Sequence, residues 1–289
     1  MSRVRCRIVT TRAEVRECIA AWRAAGESVG LVPTMGALHA GHLSLVDAAK
    51  QECTRVVATV FVNPTQFGPG EDFERYPRNL DADVSLLAPR GVDLVFAPSP
   101  REIYRSGHAT MVEMSGVAEP LEGKFRPGHF RGVATVVLKL FNIVAPDSAF
   151  FGQKDFQQSL VVRHLVDDLD VPVAIRVCPT MRETDGLAMS SRNAYLSADD
   201  RSKALVLSRS LAAACELFAT GQHDAALIKA AMQRLFDEAP GLTLDYLALA
   251  DCDTLAEVQK ATATTVALIA ARLSGVRLID NCLLGQGIK

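Results

Sequence analysis

With 289 residues, the chain can build one large domain or a main domain with a smaller companion. Its apolar share of 49%, charged share of 22% and formal net charge of -2 are those of an ordinary globular protein, and they give no electrostatic reason to expect nucleic acid or an acidic membrane as a partner. The seven cysteines are scattered and include no C-x-x-C pair, no apolar run reaches the ~20 residues of a membrane span, and the N-terminus lacks a signal-peptide core, so a reduced, cytoplasmic protein is expected.

Thr11 and Glu14 form a capping-box pattern that opens a helix ended by Gly26. Residues 28–33 read as a buried strand and 41–53 as a helix. Residues 55–62 (RVVATVFV) lack alternation, as expected of a strand covered on both faces. A helix over 79–89 and a strand over 92–97 follow. After an irregular stretch, 132–144 is apolar nearly all round and predicts a buried helix. A strand at 148–151, a helix at 155–168 and a strand at 173–177 complete the series. Strands alternating with helices at this spacing predict a Rossmann-like α/β domain built on a parallel sheet.

The pattern changes near residue 184. Helices are expected over 198–219 and 223–238, then strands over 242–249, 264–270 and 276–280. Helices followed by grouped strands predict a separate, smaller α+β unit. The reading is therefore two domains, 1–183 and 184–289, joined near Arg182–Gly186.

The most informative segment is Pro33-Thr-Met-Gly-Ala-Leu-His39-Ala-Gly41-His42, between a predicted strand and a predicted helix. In an open α/β sheet, ligands bind beyond the carboxyl ends of the strands. A helix start there offers free N–H groups and a positive dipole end to phosphate. Gly36 and Gly41 permit close backbone approach, and His39 and His42, three apart, share a face. Two imidazoles aimed at one phosphate can donate to charge that grows in a transition state. A lone histidine at a turn is usually a surface residue; two joined to two glycines at such a junction are not so easily dismissed.

The H-x-G-H arrangement resembles the signature of the nucleotidyltransferase superfamily that includes class I aminoacyl-tRNA synthetases. The full run PTMGALHAGH resembles the pantothenate synthetase (pantoate–β-alanine ligase) family. So do Phe61-Val-Asn-Pro-Thr-Gln66-Phe, Arg75-Tyr-Pro-Arg78, Phe151-Gly-Gln-Lys154-Asp155-Phe-Gln-Gln158 and Met189-Ser-Ser-Arg192-Asn, in matching order across almost the whole chain.

The resemblance implies a two-step ligation: pantoate and ATP give pantoyl adenylate, from which β-alanine displaces AMP. It also implies the site. Met35, Gly36, Ala37, Leu38, His39, Ala40, Gly41 and His42 would line the ATP site, with His42 the leading group for proton donation or transition-state stabilisation and His39 holding a phosphate. Gly152, Gln153, Lys154 and Asp155 would form its second wall. Lys154 is the counter-charge for the triphosphate, and Gln153 stands where the family more often has Glu. Met181 would also line the ATP site, and the loop Met189, Ser190, Ser191 and Arg192 would clamp the polyphosphate through two hydroxyls and a guanidinium, with the smaller domain closing over the site. Gln66, Gln158, Pro33 and Asn63 are assigned to pantoate, with Met35 and Phe61 beside its methyl groups. Asp83 is a candidate for orienting hydrated Mg²⁺; Asp81 is less so. The family also implies a homodimer. For His129 the residues themselves leave a structural and a functional role open.

Two other functions stand against this reading. An enzyme of the same superfamily that moves a nucleotidyl group onto a phosphate would not need Gln66, Gln158 and the full FGQKD segment. A nucleotide-binding module without catalysis would be expected to have lost His39, His42, Lys154 or Arg192, and all four are present.

Overall fold

The computed structural model describes residues 6–288. Their contacts divide the chain into two compact units: one reaches to Gly152 and resumes over Gln158–Cys178, and the other comprises Gln153–Gln157 and Pro179 onward. The change of unit at Cys178 precedes the expected join. The five residues Gln153–Gln157, expected in the first domain, cluster with the second.

In the first unit the order is β1 (Arg7–Val9), α1 (Arg12–Ala24), β2 (Val29–Thr34), α2 (Ala40–Glu52), β3 (Arg55–Val60), α3 (Leu80–Leu87) and β4 (Leu94–Phe96). The short helices α4 (Pro100–Ile103) and α5 (Glu122–Phe125) follow, then α6 (His129–Val144), β5 (Ser148–Gly152), α7 (Phe156–Asp168) and β6 (Ala174–Cys178). All six strands form one sheet in the order β1-β4-β3-β2-β5-β6, and every pair is parallel. The expected parallel α/β sheet is present. Strand β1 is an addition to it: a three-residue edge strand shows no periodicity to read.

Local chemistry explains the elements. Thr11 Oγ1 and Glu14 close the expected capping box on α1, a device that stabilises a helix by about 0.5–2 kcal/mol. The unalternating run of β3 is buried through its middle, Val56–Thr59. One apolar layer joins Val32, Val56, Ala58 and Val95 of the sheet to Leu43, Val46 and Ala49 of α2 and to Leu87 of α3. Helix α6 is buried on most of its circumference, as its sequence predicts. Each fully buried Leu, Val or Phe contributes about 1.5–3 kcal/mol of transfer free energy.

The strand order has one consequence for function. From β2 the chain moves outward through β3 and β4, then returns to place β5 on the other side of β2. The loops leaving β2 and β5 therefore diverge, and a crevice at such a switch point is where open α/β sheets take their ligands.

In the second unit the helices are α8 (Ala198–Ala204), α9 (Val206–Ala219) and α10 (Ala225–Asp237). The strands are β7 (Leu242–Asp251), β8 (Thr265–Leu273) and β9 (Val276–Leu283), an antiparallel sheet in the order β7-β8-β9. The expected helix over 198–219 is two helices, because Leu205, with ψ of -15°, tightens the backbone out of the α ladder. Leu207 and Leu211 of α9 and Ile228, Met232 and Phe236 of α10 pack with Leu249, Ile269 and Leu278 of the sheet into the core of this unit. Cys215 of α9 and Cys282 of β9 touch within it, Sγ to Sγ 3.2 Å, and both are free thiols.

Candidate active site

The turn from β2 to α2 stands at the switch point. Helix α2 is capped by histidines: His39 is the N-cap, its Nδ1 accepting the Gly41 N–H at 3.2 Å, while His42 Nδ1 accepts the His39 N–H at 3.3 Å. This is a capping box with imidazoles in the places usually taken by Ser or Thr and Glu or Gln. Because each Nδ1 is an acceptor, the ring proton of each neutral histidine sits on Nε2, and each ring acts as a donor through that atom. The ring centroids are 4.1 Å apart.

The same geometry revises the expected source of phosphate contacts. The N–H groups of the turn do not all stand free: those of Ala37 and Leu38 donate to the Asp83 carboxylate at 3.2 and 2.9 Å, and those of His39 and Gly41 go to the two imidazoles. Gly36 has φ of +81°, and a Cβ there would stand 2.8 Å from Asp83 Oδ2 and 3.0 Å from a Val60 methyl. Ala37 also has a positive φ, +50°, a strain of about 1–2 kcal/mol that the Asp83 bonds sustain.

Asp83, the candidate metal group, is therefore a buried brace for the turn, with both oxygens in use. Burial pushes its carboxyl above the usual range, and the two N–H bonds pull it partly back. Asp81, two residues away on α3, is exposed. Among the described residues no group of three His, Cys, Asp or Glu side chains stands together as a metal site.

Beside the turn, a single 3-10 turn over Pro64–Gln66 carries Gln66. Asn63, expected against the substrate, is 1% exposed and has its amide committed within the protein. Its Nδ2 donates to Gln66 Oε1 at 3.1 Å and to the Gly132 carbonyl at 3.2 Å, while its Oδ1 accepts from the Tyr104 hydroxyl at 2.8 Å. What Asn63 does here is orient Gln66: with Oε1 occupied, the Gln66 NH₂ points to Met35 Sδ, 3.2 Å away. Met35 begins the histidine turn, so the Gln66 amide reaches that turn at its first residue.

Sequence reasoning left His129 open and passed over Arg126, Glu71 and Gly132. Arg126 pairs with Glu71 through two bonds of 2.7 Å and donates to His129 Nε2 at 3.1 Å. An arginine only donates, so Nε2 accepts and His129 Nδ1–H is the donor to the Gln66 carbonyl at 2.8 Å. Burial, reinforced by the Arg126 charge, pushes His129 down to about 4, so the ring is neutral. Burial alone would raise Glu71, but its pairing with Arg126 outweighs that and holds it at about 2. Helix α6 meets the Gln66 turn at Gly132, where a Cβ would lie 2.3 Å from the Thr65 carbonyl oxygen and 2.7 Å from Gln66 Cα. The signal for these residues was the RPGHFRG run itself, whose role appears only once α6 is docked.

Of the other expected residues in this unit, Pro33 lies in β2 opposite Thr59, Phe61 is buried just past β3, Gly152 ends β5, and Gln158 is half-buried on the first turn of α7. Gln153, Lys154 and Asp155 form a 3-10 turn that clusters with the second unit, where the Lys154 ammonium is 3.7 Å from Asp155. Met181 and Met189 pair there, the Met189 N–H donating to the Met181 carbonyl at 2.9 Å across a hairpin. Ser190 caps the turn Ser191–Tyr195 that carries Arg192, and Asn193 ties that turn to Glu183 and the Ala188 carbonyl.

The family model described as pantoate-beta-alanine ligase matches residues 7–283. The pantothenate synthetase of Roseiflexus sp. (strain RS-1) is 52% identical over 278 residues, covering 96% of this chain and 99% of that protein. Among solved structures, pantothenate synthetase from Thermus thermophilus superposes with a TM-score of 0.92 at 48% identity, over 96% of this chain and 99% of that one. Pantoate-beta-alanine ligase from Francisella tularensis, complexed with beta-gamma ATP and beta-alanine, gives a TM-score of 0.80 at 35% identity, over 98% and 100% of the two chains. By sequence and by fold, the chain belongs to the pantoate–β-alanine ligase family.

Proposed function

We propose that the protein joins pantoate and β-alanine to give pantothenate at the expense of ATP. A carboxylate oxygen of pantoate attacks the α-phosphorus of ATP, the bond to the bridging oxygen breaks, and pyrophosphate leaves with that electron pair. The β-alanine amine then attacks the acyl carbon, AMP leaves, and the amine surrenders a proton. Neither step needs a covalent enzyme nucleophile; alignment and charge stabilisation suffice.

The observation that carries this reading is the pairing at the switch point of two Nε2-donating histidines with an amide fixed to donate. The imidazoles suit phosphate oxygens whose charge grows as pyrophosphate departs. The Gln66 NH₂ suits a hydroxyl or carboxylate oxygen of pantoate, with Met35, Pro33 and Phe61 near its methyl groups. Gln158 is assigned to the same substrate, Lys154, Arg192, Ser190 and Ser191 to the polyphosphate, and Met181 and Met189 to the lining of the ATP site, by family resemblance. Mg²⁺ would arrive as part of the MgATP co-substrate, held by phosphate oxygens and water. A homodimer is the assembly that the family resemblance implies, and analytical ultracentrifugation checks it. A cytoplasmic location is part of the same proposal; no helix of the described residues is long and apolar enough to cross a membrane.

The test is pantoate-dependent exchange of labelled pyrophosphate into ATP, comparing the parent with His42→Gln. Glutamine at this third helical position can keep the bond to the His39 N–H, so the helix stays capped while the imidazole is lost. Exchange should fall about 10²–10³-fold. Exchange that proceeds without pantoate, or survives in a folded His42→Gln protein, would overturn the proposal.

A further inference from the structure

Lys154 sits on a turn that the chain threads between β5 and α7, yet residues Gln153–Gln157 cluster with the second unit. The tie is visible on β9. Asn281 Nδ2 donates to the Gln153 carbonyl at 3.0 Å and to the Lys154 carbonyl at 2.8 Å, across more than a hundred residues of sequence. One amide thus grips two successive peptide groups of the lysine's own turn.

The amide is itself held. Asn281 is 2% exposed and pairs with Leu268 of β8, so the sheet fixes its backbone. Its N–H donates to Asp280 Oδ1 at 2.8 Å, and Asp280 is locked to Arg182 by two bonds of 2.7 and 3.1 Å. Two carbonyls facing the side chain leave one amide orientation open, NH₂ toward them. In that orientation Oδ1 is buried and meets no hydrogen-bond partner among the described residues. Two carbonyls facing one side chain call for a group with two donors: Asp cannot donate and Leu can do neither.

We propose that Asn281 is a positioning residue for Lys154, fixing the backbone of the 153–155 turn so that the ammonium is presented to the polyphosphate of ATP. This rests on the assignment of Lys154 to that polyphosphate, and the two can fail separately. Asn281 touches no substrate in this scheme; it acts through the turn.

The experiment is a double-mutant cycle of Asn281→Ala and Lys154→Ala, read as KM for ATP, KM for pantoate and kcat, with thermal melts of every variant. Asn281→Ala should raise the KM for ATP about tenfold, leave that for pantoate within about twofold, and add less than about twofold in the Lys154→Ala background. Asn281→Asp, which puts charge against two carbonyls, should be worse than alanine. Asn281→Ser, which retains one donor, should lie between alanine and the parent, and it serves in place of alanine should that variant not fold. A folded Asn281→Ala or Asn281→Ser protein with the parent's KM for ATP, or full additivity in the cycle, overturns the proposal. A Lys154→Ala protein with unchanged ATP kinetics instead refutes the assignment of Lys154.

Discussion

Asp83→Asn separates a brace from a metal ligand. In the parent, one carboxylate oxygen accepts the Leu38 N–H at 2.9 Å and the other the Ala37 N–H at 3.2 Å, both out of contact with bulk water. Asparagine keeps one acceptor and turns the other into a donor, so whichever way the amide lies, one turn N–H faces an N–H. The loss of a charge-assisted bond and the orphaning of a buried donor together cost about 2–4 kcal/mol. Burial already resists the ionised carboxylate, and a neutral amide escapes that cost, which offsets part of the loss. The net destabilisation is about 2 kcal/mol, a fall in Tm of about 4–8 °C for a unit of this size. The assay is a calorimetric melt alongside a Mg²⁺ titration of turnover. The brace predicts the lower Tm, a higher KM for ATP as the histidine turn loosens, and an unchanged half-saturating Mg²⁺ concentration. A variant that melts with the parent but demands far more Mg²⁺ would falsify the reasoning.

Acid should destabilise the protein through His129. Its folded value of about 4 lies below the ordinary 6.5, so the stabilisation of the neutral ring is complete above pH 6.5 and lost as pH falls toward 4. That amounts to about 3 kcal/mol, measurable by urea melts at pH 7 and pH 4.5 and diminished in a His129→Gln variant. Glu71, held at about 2, gives up its contribution only in the next window down, from 4.5 toward 2. Gly132→Ala should cost about 3 kcal/mol and raise the KM for pantoate, because its methyl would displace the Gln66 backbone; parent-like stability and kinetics would remove the close approach from the account. His39→Asn should retain more stability than His39→Ala, by about 1 kcal/mol in chemical melts, since asparagine is a good N-cap, while both lose activity alike.

Much of this was legible in the sequence, and where it was not the reason is physical. Residues 28–33, 41–53 and 55–62 lie within one or two residues of β2, α2 and β3 because fully buried strands and capped helices write their limits in apolar runs and turn residues. The histidine turn was found for the same reason, as a short local motif. The contacts of Asn63, by contrast, come from Gly132 on α6 and Tyr104 just past α4, which are 69 and 41 residues away in sequence. Asn281 lies still further off in sequence from the turn it grips. No local pattern announces a hydrogen bond across such separations. The bonds of Asp83 were out of reach on similar grounds: its partners, two N–H groups of another loop, lie more than forty residues away in sequence.

The histidine capping box ties chemistry to descent. His39 and His42 would be tuned for catalysis in most enzymes and replaced freely once a lineage no longer needed the product. Here the same two rings close the N-terminus of α2, a helix packed on the central strands, so most replacements are penalised as folding lesions before any loss of activity is felt. Asparagine at 39 and glutamine at 42 are the exits, since they cap as well as histidine does and cannot do its chemistry. A descendant of this fold that had abandoned catalysis would be expected to carry those two residues, and finding them together would date the loss of function more surely than any change elsewhere in the turn.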